Sequence, residues 1–124
     1  MSSCNGSKKN LIFYACSCGA NVGEVADRAA REFVSQGLGS MPSASCFAAG
    51  MQGKIKQALD ADMNIVFDGC AADCCKKALE AIGATKIKQF RVTDMGVARV
   101  NGARATDVDV KKIVDAAEKE ISKI

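Results

Sequence analysis

The 124-residue chain carries seven cysteines and no histidine, which narrows its chemistry at once. Without imidazole there is no serine–histidine or cysteine–histidine nucleophilic pair and no histidine-ligated zinc. A soft-metal site would have to be built mainly from thiolates. The thiols are densest in Phe67-Asp68-Gly69-Cys70-Ala71-Ala72-Asp73-Cys74-Cys75, where the β-favouring run Ile65-Val66-Phe67 meets a glycine and a helical pattern follows. Cys16-Ser17-Cys18-Gly19 closes an earlier apolar run. Cys46 lies in a glycine-, serine- and alanine-rich stretch, and Cys4 stands alone in a small, polar, basic segment. Three uses compete for these groups: holding a metal, redox work, and filling space.

The elements that position them follow from periodicity. Leu11 to Ala15 reads as a buried strand. A helix then carries Val22, Val25, Ala26, Ala29, Ala30, Phe33 and Val34 at 3-and-4 spacing, with Asn21 as its expected cap and Gly37 as its stop. Residues 37–53 read as a loop. A short helix from Lys54 to Ala61, entered from near Ala49, should turn Ile55, Ala58 and Leu59 inward. Met63 to Asp68 is the second strand, Ala72 to Ile82 a helix ended by Gly83, and Ile87 to Val92 a more polar strand suited to an edge. Val97 to Val100 is a candidate short strand before the Asn101-Gly102 turn. Thr106 caps a last helix whose buried stripe is Val110, Ile113, Val114, Ala117 and Ile121. This alternation implies α/β architecture: one small three-layer sandwich with a mainly parallel sheet of three to four strands and about four helices. Residues 1–9 are expected to be a flexible tail and 10–124 a single domain.

Parallel strands end along one edge, and open α/β sheets bind ligands outside it. Cys16 follows the first strand and Cys70 the second, so both belong at that edge, and the Cys46 loop can fold over it. A helix beginning near Cys70 would stack Cys74 one turn above it. Each helical step is about 100°, so Cys75 shares a face with Ala78, Leu79 and Ile82 and reads as a core thiol. Cys70 and Cys74 point away from that stripe. Four thiolates around Zn2+ carry a net charge of about −2. Two nearby helix starts, with Lys76 and Lys77, could offset it and favour the thiolate form.

Composition sets the limits. Hydrophobic residues are 48% and charged residues 25%, an ordinary globular balance. A net charge of +3 is too small to argue for nucleic acid. No apolar run approaches the roughly 20 residues of a membrane span. MSSCNGSKKN has no apolar core before its lysines and does not read as a signal peptide. The expected compartment is the cytoplasm, where thiols stay reduced, so metal or redox use outranks a disulfide framework. Paired Cys-x-x-Cys knuckles are absent, so spacing alone leaves metal and redox readings open.

Asp68-Gly69-Cys70 followed by Cys74-Cys75-Lys76-Lys77-Ala78-Leu79 resembles the central motif of the DGC-domain family. Tyr14-Ala15-Cys16-Ser17 with Gly19-Ala20-Asn21-Val22-Gly23 is similar to its first motif, Cys46 to its middle cysteine, and Thr93-Asp94-Met95-Gly96 to its last. The resemblance covers nearly the whole chain. The family is described as zinc-binding on the strength of four potential chelating cysteines, its role being otherwise unknown. The resemblance therefore implies Cys16, Cys46, Cys70 and Cys74 as ligands of one Zn2+. Cys18 stands where the family is expected to have a small non-thiol residue, and is the alternative to Cys16. Four thiolates also allow an iron–sulfur cluster.

The competing reading is a thiol redox or sulfur-relay protein using the Cys16/Cys18 and Cys70/Cys74 pairs. A cysteine phosphatase or arsenate reductase would need Cys-x5-Arg, but Val22 follows Cys16 and Lys76 follows Cys70 at that spacing. There is no phosphate-binding Walker loop or dinucleotide fingerprint. Asp68 and Asp94, at strand ends, read as helix caps or turn formers rather than catalytic acids. The reading leans away from an enzyme and towards a protein whose partner is a metal ion, with neither nucleic acid nor membrane.

Overall fold

A computed structural model describes residues 9–124 of the chain. Cys4, and all but the last residue of the expected tail, lie outside the described residues. Strands β1 (Leu11–Ala15), β2 (Met63–Asp68) and β3 (Ile87–Arg91) form one fully parallel sheet in the order β1-β2-β3. The register pairs Leu11 with Met63 through Ala15 with Phe67, and Asn64 with Ile87 through Asp68 with Arg91. β2 is central, and β3 is an edge strand, as its polarity suggests.

Period-2 alternation divides the core in two. Leu11, Phe13, Ile65, Phe67 and Phe90 face α1 (Asn21–Ser35) and α5 (Asp107–Ile121). Ile12, Tyr14 and Val66 face α2 (Ser45–Ala48), α3 (Gln52–Asp60) and α4 (Cys74–Ala81). This is the expected three-layer α/β sandwich, with three strands and five helices among the described residues. An aromatic chain spans the first layer: Phe13 stacks on Phe33 at 5.8 Å, Phe33 on Phe67 at 5.9 Å, and Phe67 on Phe90 at 5.2 Å. In the second layer the buried Tyr14 hydroxyl donates to Asn64 Oδ1 at 2.9 Å, and Asn64 Nδ2 donates to the Ala58 carbonyl at 2.9 Å. These bonds satisfy polar atoms that would otherwise be costly to bury.

Several local expectations are corrected. Asn21 does not cap α1; Ala20 occupies that position, and Asn21 is the first helical residue. Its amide instead clamps the segment after β3: Nδ2 donates to the Ala98 carbonyl at 2.9 Å, and Oδ1 accepts the Val100 N–H at 2.7 Å. Val97–Val100 is therefore a strapped loop rather than a strand, with a single bridge between Ala20 and Asn101. Residues 37–53, expected to be a loop, contain the short helix α2, which ends before Gly50, whose φ of +70° is left-handed; α3 then starts at Gln52 rather than near Ala49. Ala58 is buried and Ile55 partly so, but Leu59, one helical step on, is 46% exposed. Thr106 caps α5 as expected, accepting the Asp109 N–H at 3.1 Å.

The clamp gives a stability prediction. Asn21→Ala leaves the Ala98 carbonyl and the Val100 N–H without their partners and should cost about 2 kcal/mol in urea unfolding, with the slope unchanged. A loss below about 0.5 kcal/mol would mean the strap is held by other contacts.

Candidate functional site

The sequence Asp68-Gly69-Cys70 has a mechanical role at each position. Asp68 ends β2 with its residue fully buried, and by strand alternation it points to the α4 side. Its carboxylate accepts the Cys75 N–H at 3.0 Å, the Lys76 N–H at 3.3 Å and Gln89 Nε2 at 2.9 Å. Two of these donors belong to the first turn of α4, where free amides carry partial positive charge. Asp68 therefore caps α4 from the preceding strand, realising the capping role expected of it.

Gly69 lies against the start of α1. A Cβ there would stand 3.0 Å from Val22 Cγ2 and 3.1 Å from the Val22 carbonyl carbon. The Gly69 N–H donates to Cys16 Sγ at 2.9 Å, and its carbonyl accepts the Thr93 N–H at 3.1 Å. All three sequence motifs thus meet at the carboxyl edge of the sheet. Thr93 belongs to a 3-10 turn, Val92–Met95, closed by Gly96 at φ +91°. On the α1 side, a Cβ on Gly23 would lie 2.5 Å from Cys18 N and 2.6 Å from Cys18 Sγ, so the Cys16–Cys18 loop rests directly on that glycine.

α4 begins at Cys74, later than the expected Ala72, because Asp73 takes a left-handed conformation with φ 55°. Cys70 lies in a separate turn, its carbonyl accepting the Asp73 N–H at 3.2 Å. The expected stacking of Cys70 and Cys74 one helical turn apart is therefore corrected. Cys75 is buried beside Tyr14, Val66 and Leu79, as helical phase predicts.

One open cleft of about 500 Å³ is lined by Cys16, Cys18, Cys74 and Cys75 with Ser43, Ala44 and Ser45. Cys16 is half-buried, while Cys18 and Cys74 are exposed. Cys46, in α2, is buried in the second core and does not line this cleft, although its neighbours Ala44 and Ser45 do. Cys70 is half-buried and also outside the cleft lining. The fold thus brings Cys16 and Cys74 to one cleft, adds Cys18 and Cys75, and leaves Cys46 and Cys70 out of its lining. A second cavity of about 620 Å³ shares Ala15, Ser17, Ser43 and Ala44 with the cleft and continues to Asp27 and Arg31. There Ser17 donates to Asp27 at 3.1 Å and Arg31 Nε donates to Asp27 at 2.7 Å.

The donor types suit a soft cation, since thiolate is a preferred ligand of zinc. The arrangement is not a closed cage: among the described residues, no group of three or more cysteine, aspartate, glutamate or histidine side chains is set to hold an ion. The six described cysteines are all free. Burial pushes the Cys16 thiol up to about 11, helped by the negative field of Asp68, Cys18 and Cys74 and opposed by the Gly69 N–H. Burial likewise pushes Cys75 up to about 12, with Asp68, Cys16 and Cys74 adding to it. Both are therefore thiols near neutral pH.

Sequence reasoning missed Gln89 and Arg91, which lie on one face of β3 and grip Asp73. Gln89 Nε2 reaches Asp73 Oδ1 at 2.8 Å, and Arg91 Nε and Nη2 reach its two carboxylate oxygens at 2.9 and 2.7 Å. The i, i+2 spacing of two long polar donors at the end of an edge strand was the available signal.

The fold and its thiol-lined edge define a small parallel α/β domain with unpaired cysteines at the carboxyl end of the sheet. The sequence model of the DGC domain matches residues 12–117, and the chain belongs to that family. No curated protein and no solved structure matches it. No helix among the described residues is long and apolar enough to cross a membrane.

Two measurements test the site. Asp68→Asn puts an amide donor among three donors and should cost about 3 kcal/mol of unfolding free energy; a variant as stable as wild type would contradict the capping role. In metal-free, reduced protein, alkylation of Cys16, followed by mass spectrometry, should rise about tenfold per pH unit and level off at about 11. A plateau near pH 9 would show a thiol that burial does not perturb.

Proposed function

We propose that the protein binds one soft metal ion, Zn2+, through cysteine thiolates at the carboxyl edge of the sheet. The observation that carries this reading is convergence. Bonds from Gly69 to Cys16 and from Asp68 to the start of α4 join the thiol-bearing segments after β1 and β2, and Ser43, Ala44 and Ser45, next to Cys46, line the same cleft. The proposed ligands are Cys16 and Cys74, which line one cleft, with Cys46 and Cys70 supplied from outside its lining. Cys18 also lines the cleft and is the alternative to Cys16. When bound, the ion supplies the positive charge that keeps its thiolate ligands deprotonated. The protein groups orient the sulfurs: Gly69 through its N–H on Cys16, and Asp68 through the start of α4, where Cys74 sits. A reducing compartment, the cytoplasm, fits this use of the thiols.

The thiol redox or sulfur-relay reading keeps one specific support. Cys16, Cys18 and Cys74 share an open cleft, which keeps the Cys16/Cys18 pair and offers Cys16/Cys74 in place of Cys70/Cys74. Thiol–disulfide exchange would require a thiolate at one of them, and burial holds Cys16 protonated.

Metal content decides between the readings. Protein purified under reducing conditions without added metal should carry about one zinc per chain, and chelation should expose about four further titratable thiols. Single Ser variants at Cys16, Cys46, Cys70 and Cys74 should each weaken zinc retention, whereas Cys75→Ser should not. Metal-free protein whose accessible thiols titrate identically before and after chelation would sink the metal reading. A visible absorbance band with iron would replace zinc by an iron–sulfur cluster.

A further inference from the structure

We propose that Arg91, assisted by Gln89, is the positioning residue of the Cys70–Cys74 thiol turn. The strand carrying it bears no thiol, and the inference rests on that turn being the working part of the proposed site. Asp73 precedes Cys74 and is the one non-glycine residue with positive φ among the described residues. Aspartate tolerates that conformation better than most L-residues but still at a cost, so contacts from outside the turn help to hold it. Asp73 occupies the N-cap position of α4, yet its side chain makes no capping bond. Asp68 takes over that task, bonding the N–H groups of Cys75 and Lys76. The Asp73 carboxylate is thereby left for β3.

The grip is geometrically specific. Arg91 presents Nε and Nη2 to the two oxygens of Asp73 in a fork, at 2.9 and 2.7 Å, and Nη1 to Asp94 at 2.9 Å. Gln89 Nε2 spans Asp68 and Asp73, joining the helix cap to the turn. The Asp73 and Arg91 side chains are only 15% and 27% exposed, so solvent competes less than at an ordinary surface pair. A bidentate guanidinium fixes orientation as well as distance, which an ammonium does not. Within the turn, the Asp73 N–H bonds the Cys70 carbonyl and the Lys77 N–H bonds the Asp73 carbonyl. The backbone at Asp73 therefore sets where Cys70 stands relative to Cys74, and Arg91 sets the backbone at Asp73.

The test reads the thiols individually. Metal-free, reduced protein is treated with iodoacetamide, and modification of Cys70 and Cys74 is followed by mass spectrometry beside amide exchange. Arg91→Gln should raise the Cys70 rate at least about fivefold and speed exchange over residues 70–76, while exchange in β1 and α5 stays as in wild type. Arg91→Lys should fall between the two. Asp73→Asn tolerates the left-handed backbone but loses the ion pair, and should behave like Arg91→Gln. A wild-type Cys70 rate in Asp73→Asn and Arg91→Gln would overturn the proposal. If Arg91→Gln loosens β1 and α5 as well, Gln89→Leu replaces it, with the same local rise expected and an unchanged rate overturning the assignment. Zinc competition on the same variants should show about a tenfold loss of affinity at unchanged stoichiometry. Wild type that takes up no zinc would remove the metal reading, while the alkylation rates still decide the role of Arg91.

Discussion

The structure turns on one buried carboxylate. Asp68 is fully removed from solvent, where an unpaired charge would be costly. Three N–H donors and the positive end of α4 compensate it. Because the carboxylate belongs to the central strand and its donors to a helix and an edge strand, satisfying the charge fixes where those elements meet. Gly69 follows, close enough to α1 that only hydrogen fits in place of a side chain without displacement, and its amide reaches Cys16. Cys70 then leaves the sheet into the turn that ends at Cys74.

This arrangement separates the thiols by role. Cys75 is packed with Tyr14 and Leu79, so its sulfur fills space even though it borders the cleft. Cys16 is held by an amide and kept protonated by burial, poised rather than reactive. Cys74 and Cys18 are open to solvent. Polar groups brace the layers behind them: Asn64 and Tyr14 in one core, and Asn21 at the foot of α1. These bonds limit how far the loops bearing the thiols can drift.

Much of the fold was legible because periodicity reports burial directly. Alternation found the three strands, the 3.6-residue period found the faces of α1 and α5, and phase alone assigned Cys75 to the core. The fold class and the family followed from the same residues. The misreadings arose where backbone conformation overrides pattern. Aspartate tolerates the left-handed region, but nothing in Cys70-Ala71-Ala72-Asp73 announces that Asp73 adopts it, and its partner Arg91 lies eighteen residues on. Asn21 read as a cap because its type favours one, yet its amide is spent across the chain on Ala98 and Val100. The apolar type of Leu59 suggests an inward position, although Ala58 already fills the buried position of that short helix. The thiol cleft itself was only half legible: strand ends located Cys16 and the Cys70–Cys74 segment, but the burial of Cys46 in α2 depends on packing that composition does not reveal.

The central claim is that these converging segments form a thiolate site for one soft metal ion. X-ray absorption at the zinc edge of the purified, reduced protein tests it most directly. The account predicts a single shell of about four sulfurs near 2.3 Å, with no light-atom shell of comparable weight. A shell of nitrogen and oxygen near 2.0 Å, with sulfur absent, would contradict it.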